Sequence, residues 1–542
     1  MALISVCFSV MAAGVVWRWG AQGWPLGSYW WDELALSGGV HAIHNGLTPT
    51  VDFWAPFILP LYLKLVAQSL VGVAGEYVVE CLLQGAVTLL LLSVLLGRVR
   101  HAPSVYFTGI WVVAMATLPF NLGSVAEAQI GSVAFAGSYN RFGGALIGLV
   151  MLLPVARRDA ARDPVLVVWL AMVFVLAFFT KITVLQIAFA ACLMHALLCG
   201  DAGSRRVLAK ATLLAVLASV WVLQWFDGGG GYLSALRDMS ELRMIGMRER
   251  LDIYRMVLAA HRLELFVMLF MALLVAMRSS LLGLAWAGRV SCYLVALALI
   301  TLYTLTNFGD NGLAPAVVAM HGLLFMQDQS EHGGSEGGRA GLKYVALLRW
   351  SSRCIWLIMG AIYLAFHGHY AFAFAIRHSD AHVVSLPVST AFFAQNLTVD
   401  EEAWRGRTPI HVPGVTANER SAKTYAAYVA GLDEAASFLV KTVPDRAKSV
   451  YALDFPAYVF SVAEGYRVPK HSYPWLLYGH ELTIDFHPAP AALLSDVDVL
   501  MVSRCSIASG NRRYLARIYR LEIESNWRKL ASLTCWDVYE RK

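Results

Sequence analysis

Long apolar segments recur along the first two-thirds of this 542-residue chain. Many approach the ~20 residues that an α-helix needs to cross the hydrocarbon core of a bilayer. The composition agrees, because 58% of the residues are hydrophobic and 15% are charged, whereas soluble domains carry about 25% charged residues. The mean hydropathy is +0.57. The chain is therefore predicted to be a polytopic α-helical membrane protein.

Eleven apolar segments are predicted to span the membrane: 2–17, 75–97, 103–119, 142–156, 164–180, 182–199, 207–226, 263–277, 290–306, 313–327 and 344–366. The first is interpreted as an uncleaved helix rather than a signal peptide, since no basic residues precede it. Two prolines and Lys64 interrupt the apolar run 55–72. It is therefore assigned to an interfacial helix, 57–72, that lies on the membrane face.

The distribution of basic residues predicts the topology. Arginine and lysine cluster in the loops that are cytoplasmic if the N-terminus is inside, and the short outer loops hold almost none, as the positive-inside rule requires. The first loop, 18–56, and everything after residue 366 then lie on the same outer side. The net charge is +6. The arginines that contribute to it lie mostly between apolar runs, a placement that indicates membrane topology rather than nucleic-acid binding.

Two further regions depart from the spanning pattern. Residues 232–262 combine an apolar stripe at helical spacing with a mixed-charge opposite face, which predicts a second interfacial helix. From residue 367 the composition becomes soluble, and strands at 449–454, 497–503 and 530–539 alternate with helices at 420–443 and 511–524. We therefore expect a transmembrane domain, 1–366, and an extracytoplasmic α/β domain, 367–542.

The first loop carries the most informative motif. Trp30-Trp31-Asp32-Glu33 begins a short amphipathic piece, and Gly46-Leu47-Thr48-Pro49-Thr50-Val51-Asp52-Phe53 follows it. An acidic pair after the first membrane helix and a G-x-x-P-x-x-D-F turn resemble the first outer loop of GT-C glycosyltransferases. The nearest branch holds the protein O-mannosyltransferases and the lipid-A aminoarabinose transferases. Those relatives often continue with Lys-Pro-Pro, whereas this chain has Trp54-Ala55-Pro56.

The resemblance implies a GT-C-like fold and transfer of a sugar from a polyprenyl-phosphate carrier to an envelope acceptor at the outer face of the inner membrane. It also implies that Asp32 is the general base; the alternative is that Asp32 caps a helix beginning near Glu33. Glu33 and Glu127 are further catalytic candidates, although Glu127 is equally explained as a solvated loop residue. Asp52 is expected mainly to shape the loop.

Cations are needed to stabilise the departing phosphate. The candidates are Arg141 and Lys181 at predicted helix ends, with Arg243 and Arg248 of the interfacial segment. Lipid headgroups are the alternative partners of these side chains, since they are anions at the same depth.

No nucleotide or redox cofactor is expected, and no Cys/His spacing indicates zinc. A divalent cation remains open, because some relatives hold one near the first-loop acids, where His367 and His369 are candidate ligands. Cys505 and Cys535 lie in the polar C-terminal part and are predicted to form a disulfide if that part is extracytoplasmic.

The competing hypothesis is a non-enzyme: a transporter or flippase for a lipid-linked glycan, or an envelope scaffold with an inactive GT-C fold. A transporter favours internal repeats and broken helices at the membrane midplane. The sequence contains no evident repeat, and its first-loop acids cluster at one membrane face. These two features favour the enzyme.

Overall fold

The structure is a computed structural model. It describes residues 2–22, 30–72, 75–98, 103–118, 138–153, 163–198, 202–227, 230–242, 383–385, 398–400, 422–478, 482–485, 487–506 and 509–542. The predicted spans after residue 262 lie outside the described residues, as do the greater part of the second interfacial segment and the boundary at residue 366.

The first part of the chain is mainly helical where it is described, and the first-loop turn at residues 45–57 is the longest irregular stretch of that part. Its helices are α1 (Ala2–Gln22), α2 (Trp30–His44), α3 (Ile58–Val71), α4 (Glu76–Leu96), α5 (Pro103–Thr117), α6 (Ser138–Val150), α7 (Pro164–Thr180), α8 (Ile182–Leu198), α9 (Ala202–Asp227) and α10 (Gly231–Leu242). Helix α7 has the predicted bounds because Asp163 caps its first turn by accepting from the Val165 N–H at 2.8 Å, and Pro164 follows directly. Helix α6 begins earlier than predicted, at Ser138, so Arg141 lies within its first turn.

By length and composition, two of the described helices are apolar enough to cross a membrane, Glu76–Leu96 and Ala202–Phe226. The other apolar helices in the described residues are shorter, including Pro164–Thr180 and Ile182–Leu197. The total of eleven spans stays a prediction.

One large apolar core joins α1 to the bundle formed by α4 through α9. Trp169 of α7 crosses it and donates its indole N–H to the Leu91 carbonyl of α4 at 2.8 Å. At one end of the bundle, Arg98 pairs with Asp163 at 2.6 Å, and both side chains are about a quarter exposed. The opposite ends of α4, α6 and α7 carry the polar residues described below.

The C-terminal part contains a small mixed sheet, as the alternation of strands and helices predicted. A two-stranded antiparallel piece, β1 (Val383–Ser385) with β2 (Thr398–Asp400), precedes it. The elements that follow are α11 (Ala422–Thr442), β3 (Val450–Leu453), α12 (Val459–Glu464), α13 (Pro490–Leu493), β4 (Val499–Ser503), α14 (Ser509–Ile518), α15 (Arg520–Asn526), β5 (Trp527–Ser532) and β6 (Trp536–Arg541). The strand order is β3-β4-β6-β5, with β3 and β4 parallel and the other pairs antiparallel.

Strands β3 and β4 are buried on both faces, which explains their continuous apolar runs. Val450 and Ala452 of β3 pack on the face covered by α11. Tyr451 and Leu453 point to the other face, as alternation along a strand requires. That second face packs against α14 and also against α2 and the first loop. The C-terminal sheet and the first loop therefore share one apolar core.

The sequence predicted one final strand at 530–539, and this prediction was wrong. The region is a hairpin of β5 and β6, with a register shift between Lys529 and Ala531. The connection, Leu533-Thr534-Cys535, contains none of the Gly, Pro, Asn or Asp residues that usually mark a tight turn, so the sequence pattern did not show it.

A buried carboxylate organises the carboxyl ends of the two parallel strands. Asp454 follows β3 and is fully buried. It accepts hydrogen bonds from Tyr428 of α11 at 2.8 Å, from the Ser506 hydroxyl, and from the Phe455 N–H at 2.8 Å. Burial raises the pKa of this carboxyl group, although the hydrogen bonds oppose that change. Asp454 thus joins α11 to the segment that follows β4.

Cys505 and Cys535 form a disulfide that links the end of β4 to the start of β6. Cys535 is fully buried and lies against Gly431 of α11, where an added Cβ would approach its Cβ to 2.5 Å. We expect replacement of both cysteines by alanine to lower the free energy of unfolding of the C-terminal part by about 2–4 kcal/mol. Thermal unfolding with and without reductant measures this. Reductant should destabilise the unmodified chain and leave the double variant unchanged; equal sensitivity of the two would contradict the prediction.

Candidate active site

Helix α2 lies between the helical bundle and the C-terminal sheet, and two glycines permit the close approach. A Cβ on Gly38 would lie 2.9 Å from Cβ of Tyr458, just before α12. A Cβ on the adjacent Gly39 would lie 2.7 Å from Leu61 of α3. A side chain at Gly38 would meet the Cβ of Tyr458, which cannot move without its backbone, whereas a side chain at Gly39 would displace the end of the Leu61 side chain. The glycines thus place the acid-bearing first-loop helix against both parts of the chain.

Lys64 of α3 lies in a buried ionic cluster with two glutamates of α4. Its Nζ is 3.2 Å from Oε1 of Glu76 and 3.7 Å from Oε2 of Glu80, and the Lys64 and Glu80 side chains are fully buried. Ser37 of α2 donates to Glu76. Ser138 of α6 and Gln84 donate to Glu80 at 2.8 and 2.9 Å. The cluster therefore connects α2, α3, α4 and α6 at one end of the bundle.

Another buried cation, Arg141, lies beside this cluster. Arg141 of α6, 2% exposed, donates to the Tyr77 hydroxyl at 2.6 Å and to Sγ of Cys81 at 3.6 Å. The Tyr77 ring is near both Lys64 Nζ, at 6.0 Å, and the Arg141 guanidinium, at 5.9 Å. A buried cation costs several kcal/mol unless polar groups or anions stabilise it. Burying charged side chains at this end of the bundle therefore costs considerable free energy, and such buried charges are typical of a functional site.

Lys181 occupies the single residue between α7 and α8. Its backbone is extended, with φ −169° and ψ 129°, and its N–H still bonds to the Ala177 carbonyl. The side chain is 5% exposed. Its Nζ donates to Oδ1 of Asn140 at 2.9 Å and lies 5.4 Å from the centre of the Tyr139 ring. The break between the helices thus directs a buried ammonium group toward the start of α6.

The structure describes some of the predicted site residues only in part and others not at all. Asp32 and Glu33 belong to the backbone of α2, and their side chains lie outside the described part of the structure. Because α2 already includes Trp30, Asp32 is not the residue that precedes the helix. Glu33 is four residues before Ser37, so the two positions share a helix face. Glu127, Arg243, Arg248, His367 and His369 lie outside the described residues.

Asp52 is described in full. Its Oδ2 accepts from the Thr48 N–H at 2.9 Å, which closes the turn that contains Pro49. Its Oδ1 is 3.5 Å from Nζ of Lys470 in the C-terminal part. Asp52 thus shapes the loop and also links it to the sheet domain.

His41 provides a second link between α2 and the C-terminal part, through a 3.4 Å contact from Nε2 to the Tyr466 carbonyl. Burial lowers the pKa of its imidazole. Among the described residues there is no group of three or more His, Cys, Asp or Glu side chains that suits a metal ion. The divalent cation considered from the sequence therefore has no candidate ligand set in the described part of the chain.

The sequence interpretation missed Glu76 and Glu80 and treated Lys64 only as an interruption of an apolar run. A signal was present, because two acids spaced by four residues open the apolar segment of α4. Acids at that spacing lie on one face of a helix, and acids within an apolar helix require a buried partner. Lys64 is the nearest preceding lysine.

With the helical bundle, the first loop and the small sheet domain described, the chain can be compared with solved structures. The chain is similar to the crystal structure of ArnT from Cupriavidus metallidurans bound to undecaprenyl phosphate, with a TM-score of 0.50 and 12% sequence identity. The similarity covers 99% of this chain and 97% of that one. No protein-family model and no curated protein matches the chain. The chain thus shares its overall fold with that structure.

Proposed function

We propose that this protein is an integral-membrane glycosyltransferase that uses a polyprenyl-phosphate-linked sugar. It transfers the sugar to an envelope glycan, lipid or protein at the outer face of the inner membrane. The observation that carries the proposal is the group of buried cations at the end of the bundle where α2 and the first loop pack. Support comes from the fold similarity to ArnT, whose crystal structure contains undecaprenyl phosphate.

The proposed reaction needs three elements. A carboxylate takes the proton from an acceptor hydroxyl as its oxygen bonds to the anomeric carbon of the sugar. The bond from that carbon to the phosphate oxygen breaks, and its electron pair leaves with polyprenyl phosphate. Cations near the phosphate stabilise the charge that develops there. Direct displacement inverts the anomeric configuration and consumes no nucleotide or redox equivalent.

We assign the base to α2, with Asp32 as the first candidate. Glu33 is the second, because it lies four residues before Ser37 on the same helix, and Ser37 donates to Glu76 of the buried ionic cluster. Glu76 and Glu80 are less suited to this role. Lys64 and the donors Ser37, Ser138 and Gln84 already contact their carboxylate oxygens.

We assign the donor phosphate to the region of Arg141 and Lys181. Both side chains are at least 95% buried, and both lie near Tyr77 or Tyr139 at the end of the bundle that α2 covers. Arg243 and Arg248 of the interfacial segment stay additional candidates from the sequence. Placement of this end of the bundle outside the cytoplasm fits the disulfide in the contacting C-terminal part, since disulfides persist in oxidising compartments.

The test is a mass-spectrometric comparison of polyprenyl-phosphate sugars and envelope glycans in cells that carry unmodified protein, Asp32→Asn or Glu33→Gln at equal abundance. Loss of the general base should reduce transfer by about 10²- to 10⁴-fold. The inactive variant should accumulate one lipid-linked sugar and lose one glycan residue, which identifies both substrates. Glu524→Gln is the matched control, because Glu524 is 56% exposed in a surface pair with Arg520. Unchanged profiles in both α2 variants would favour the transporter or scaffold hypothesis.

A further inference from the structure

An irregular segment of the C-terminal part, residues 467–476, contacts the first loop directly, and we name it the strap. The His471 N–H donates to the Asp52 carbonyl at 2.5 Å, and the Trp54 N–H donates to the Ser472 carbonyl at 3.0 Å. Lys470 adds the ion pair with Asp52. Main-chain and side-chain contacts therefore hold two segments more than 400 residues apart in the sequence in a defined register.

The other side of the strap is bound to the sheet domain. Arg467 pairs with Asp496 at 2.5 Å, and the Lys470 N–H donates to the same carboxylate at 2.8 Å. These contacts lower the pKa of Asp496 against the effect of its partial burial. The Leu476 N–H donates to the Phe455 carbonyl at 3.1 Å. The position of the strap is thus determined by the sheet domain as well as by the first loop.

The junction contains strained backbone. Thr50 and His471, with φ of 69° and 57°, are the two non-glycine residues of the described chain that have positive φ. A β-branched residue such as Thr50 rarely adopts this conformation. Such strain costs about 1–3 kcal/mol per residue and persists only where surrounding contacts over-determine the geometry. Thr50 lies in the first-loop turn and His471 in the strap, so both strained positions belong to this one junction.

A continuous series of aromatic rings runs from the strap to the buried cations. Trp54 stacks on Tyr473 at 5.0 Å and meets Trp475 edge-on at 5.5 Å. Trp475 stacks on Phe57 at 5.9 Å, and Phe57 stacks on Tyr139 at 4.8 Å. Trp475, Trp54 and Phe57 are each at least 92% buried. The last ring, Tyr139, is the one beneath Lys181 Nζ.

From this arrangement we infer that the strap is a positioning element of the membrane site, and that Trp475 acts through Phe57 on Tyr139, Asn140 and Lys181. The inference rests on the proposed function in one respect, the phosphate ligand of Lys181. Stacked rings resist displacement because each contact stabilises one geometry. Trp475 thus keeps the start of α6 and the break before α8 in the arrangement that binds the donor phosphate. The C-terminal domain is therefore required for donor binding as well as for any contact with the acceptor.

The experiment compares Trp475→Ala, Trp475→Phe and Phe57→Leu in the full-length protein. Phe57→Leu breaks the series from the loop side without altering the C-terminal domain. Affinity for undecaprenyl phosphate is measured in nanodiscs, and backbone hydrogen–deuterium exchange is measured for residues 50–57 and 138–142. We expect Trp475→Ala and Phe57→Leu to weaken undecaprenyl phosphate binding about tenfold and to accelerate exchange in both segments. Trp475→Phe should retain most of the affinity for undecaprenyl phosphate and most of the protection from exchange.

The matched control is Trp536→Ala. Trp536 is a fully buried tryptophan on the opposite face of the same sheet, where it packs on Phe460 at 5.1 Å. We expect this variant to lower thermal stability without changing the affinity or the exchange of 138–142. Equal effects of Trp475→Ala and Trp536→Ala on that segment would overturn the inference, as would unchanged exchange in both Trp475→Ala and Phe57→Leu. If the unmodified protein does not bind undecaprenyl phosphate, the proposed function fails, and the exchange data still decide the positioning role.

Discussion

Replacing Lys64 with methionine should destabilise the helical part of the protein by about 3–5 kcal/mol, because it removes a buried cation that contacts two buried carboxylates. Lys64 and Glu80 are fully buried, and Lys64 is within 4 Å of both Glu76 and Glu80. Methionine matches the length of lysine, so the change mainly removes charge rather than volume. Thermal unfolding of purified protein in one detergent, with the yield of folded protein, measures the effect.

The Arg98–Asp163 pair provides the comparison for this prediction. It joins α4 to α7 at the other end of the bundle, and its side chains are about a quarter exposed. Partly solvated pairs usually contribute ~0–1 kcal/mol, so Arg98→Met should have a much smaller effect. Adding Glu76→Gln and Glu80→Gln to Lys64→Met should recover much of the lost stability, because the uncompensated charges are then removed. A Lys64→Met protein as stable as Arg98→Met would show that the cluster is not an ion pair in the folded protein.

The apolar segments of the sequence predicted the bounds of helices such as α7. An apolar run that follows an acidic capping residue and a proline is a local signal, so it can be read from the sequence. The ionic cluster was harder to predict. Lys64 lies on α3, while Glu76 and Glu80 lie on α4, and the pairing depends on how these helices pack. Local sequence shows that a buried acid needs a partner, but it does not show which cation supplies it.

The C-terminal sheet domain was likewise predicted from alternating strands and helices, but its contacts with the first loop were not. Trp54 and Ser472 are hydrogen-bonded across more than 400 residues of chain, and no periodic pattern carries information over that distance. Tryptophans beside a membrane helix are usually explained by an aromatic belt at the membrane interface. The structure instead buries Trp54 against Tyr473 and Trp475. The physical reason is that α2 and the loop cover one face of the C-terminal sheet.

Replacing Lys181 with methionine should lower the affinity for undecaprenyl phosphate by about 10- to 100-fold, which corresponds to the loss of one hydrogen bond to a charged group. The ammonium group lies in the break between α7 and α8, with Asn140 and the Tyr139 ring as neighbours. Under the proposed function it stabilises the phosphate that leaves with the polyprenyl chain, so transfer in cells should fall at least as far as binding. Titration of undecaprenyl phosphate into protein held in nanodiscs measures the affinity, and the glycan profile measures transfer.

Lys210→Met controls for the loss of a lysine from the same helical region, because Lys210 lies on an exposed part of α9. It should bind undecaprenyl phosphate as the unmodified protein does. Arg141→Met should behave like Lys181→Met if both cations contact the phosphate, and the double variant should then lose less than the sum of the two free-energy changes, since interacting sites are not additive. If Lys181→Met binds undecaprenyl phosphate with unchanged affinity, Lys181 has a structural role at the helix break, and the phosphate site must be assigned to Arg141 or to the interfacial arginines.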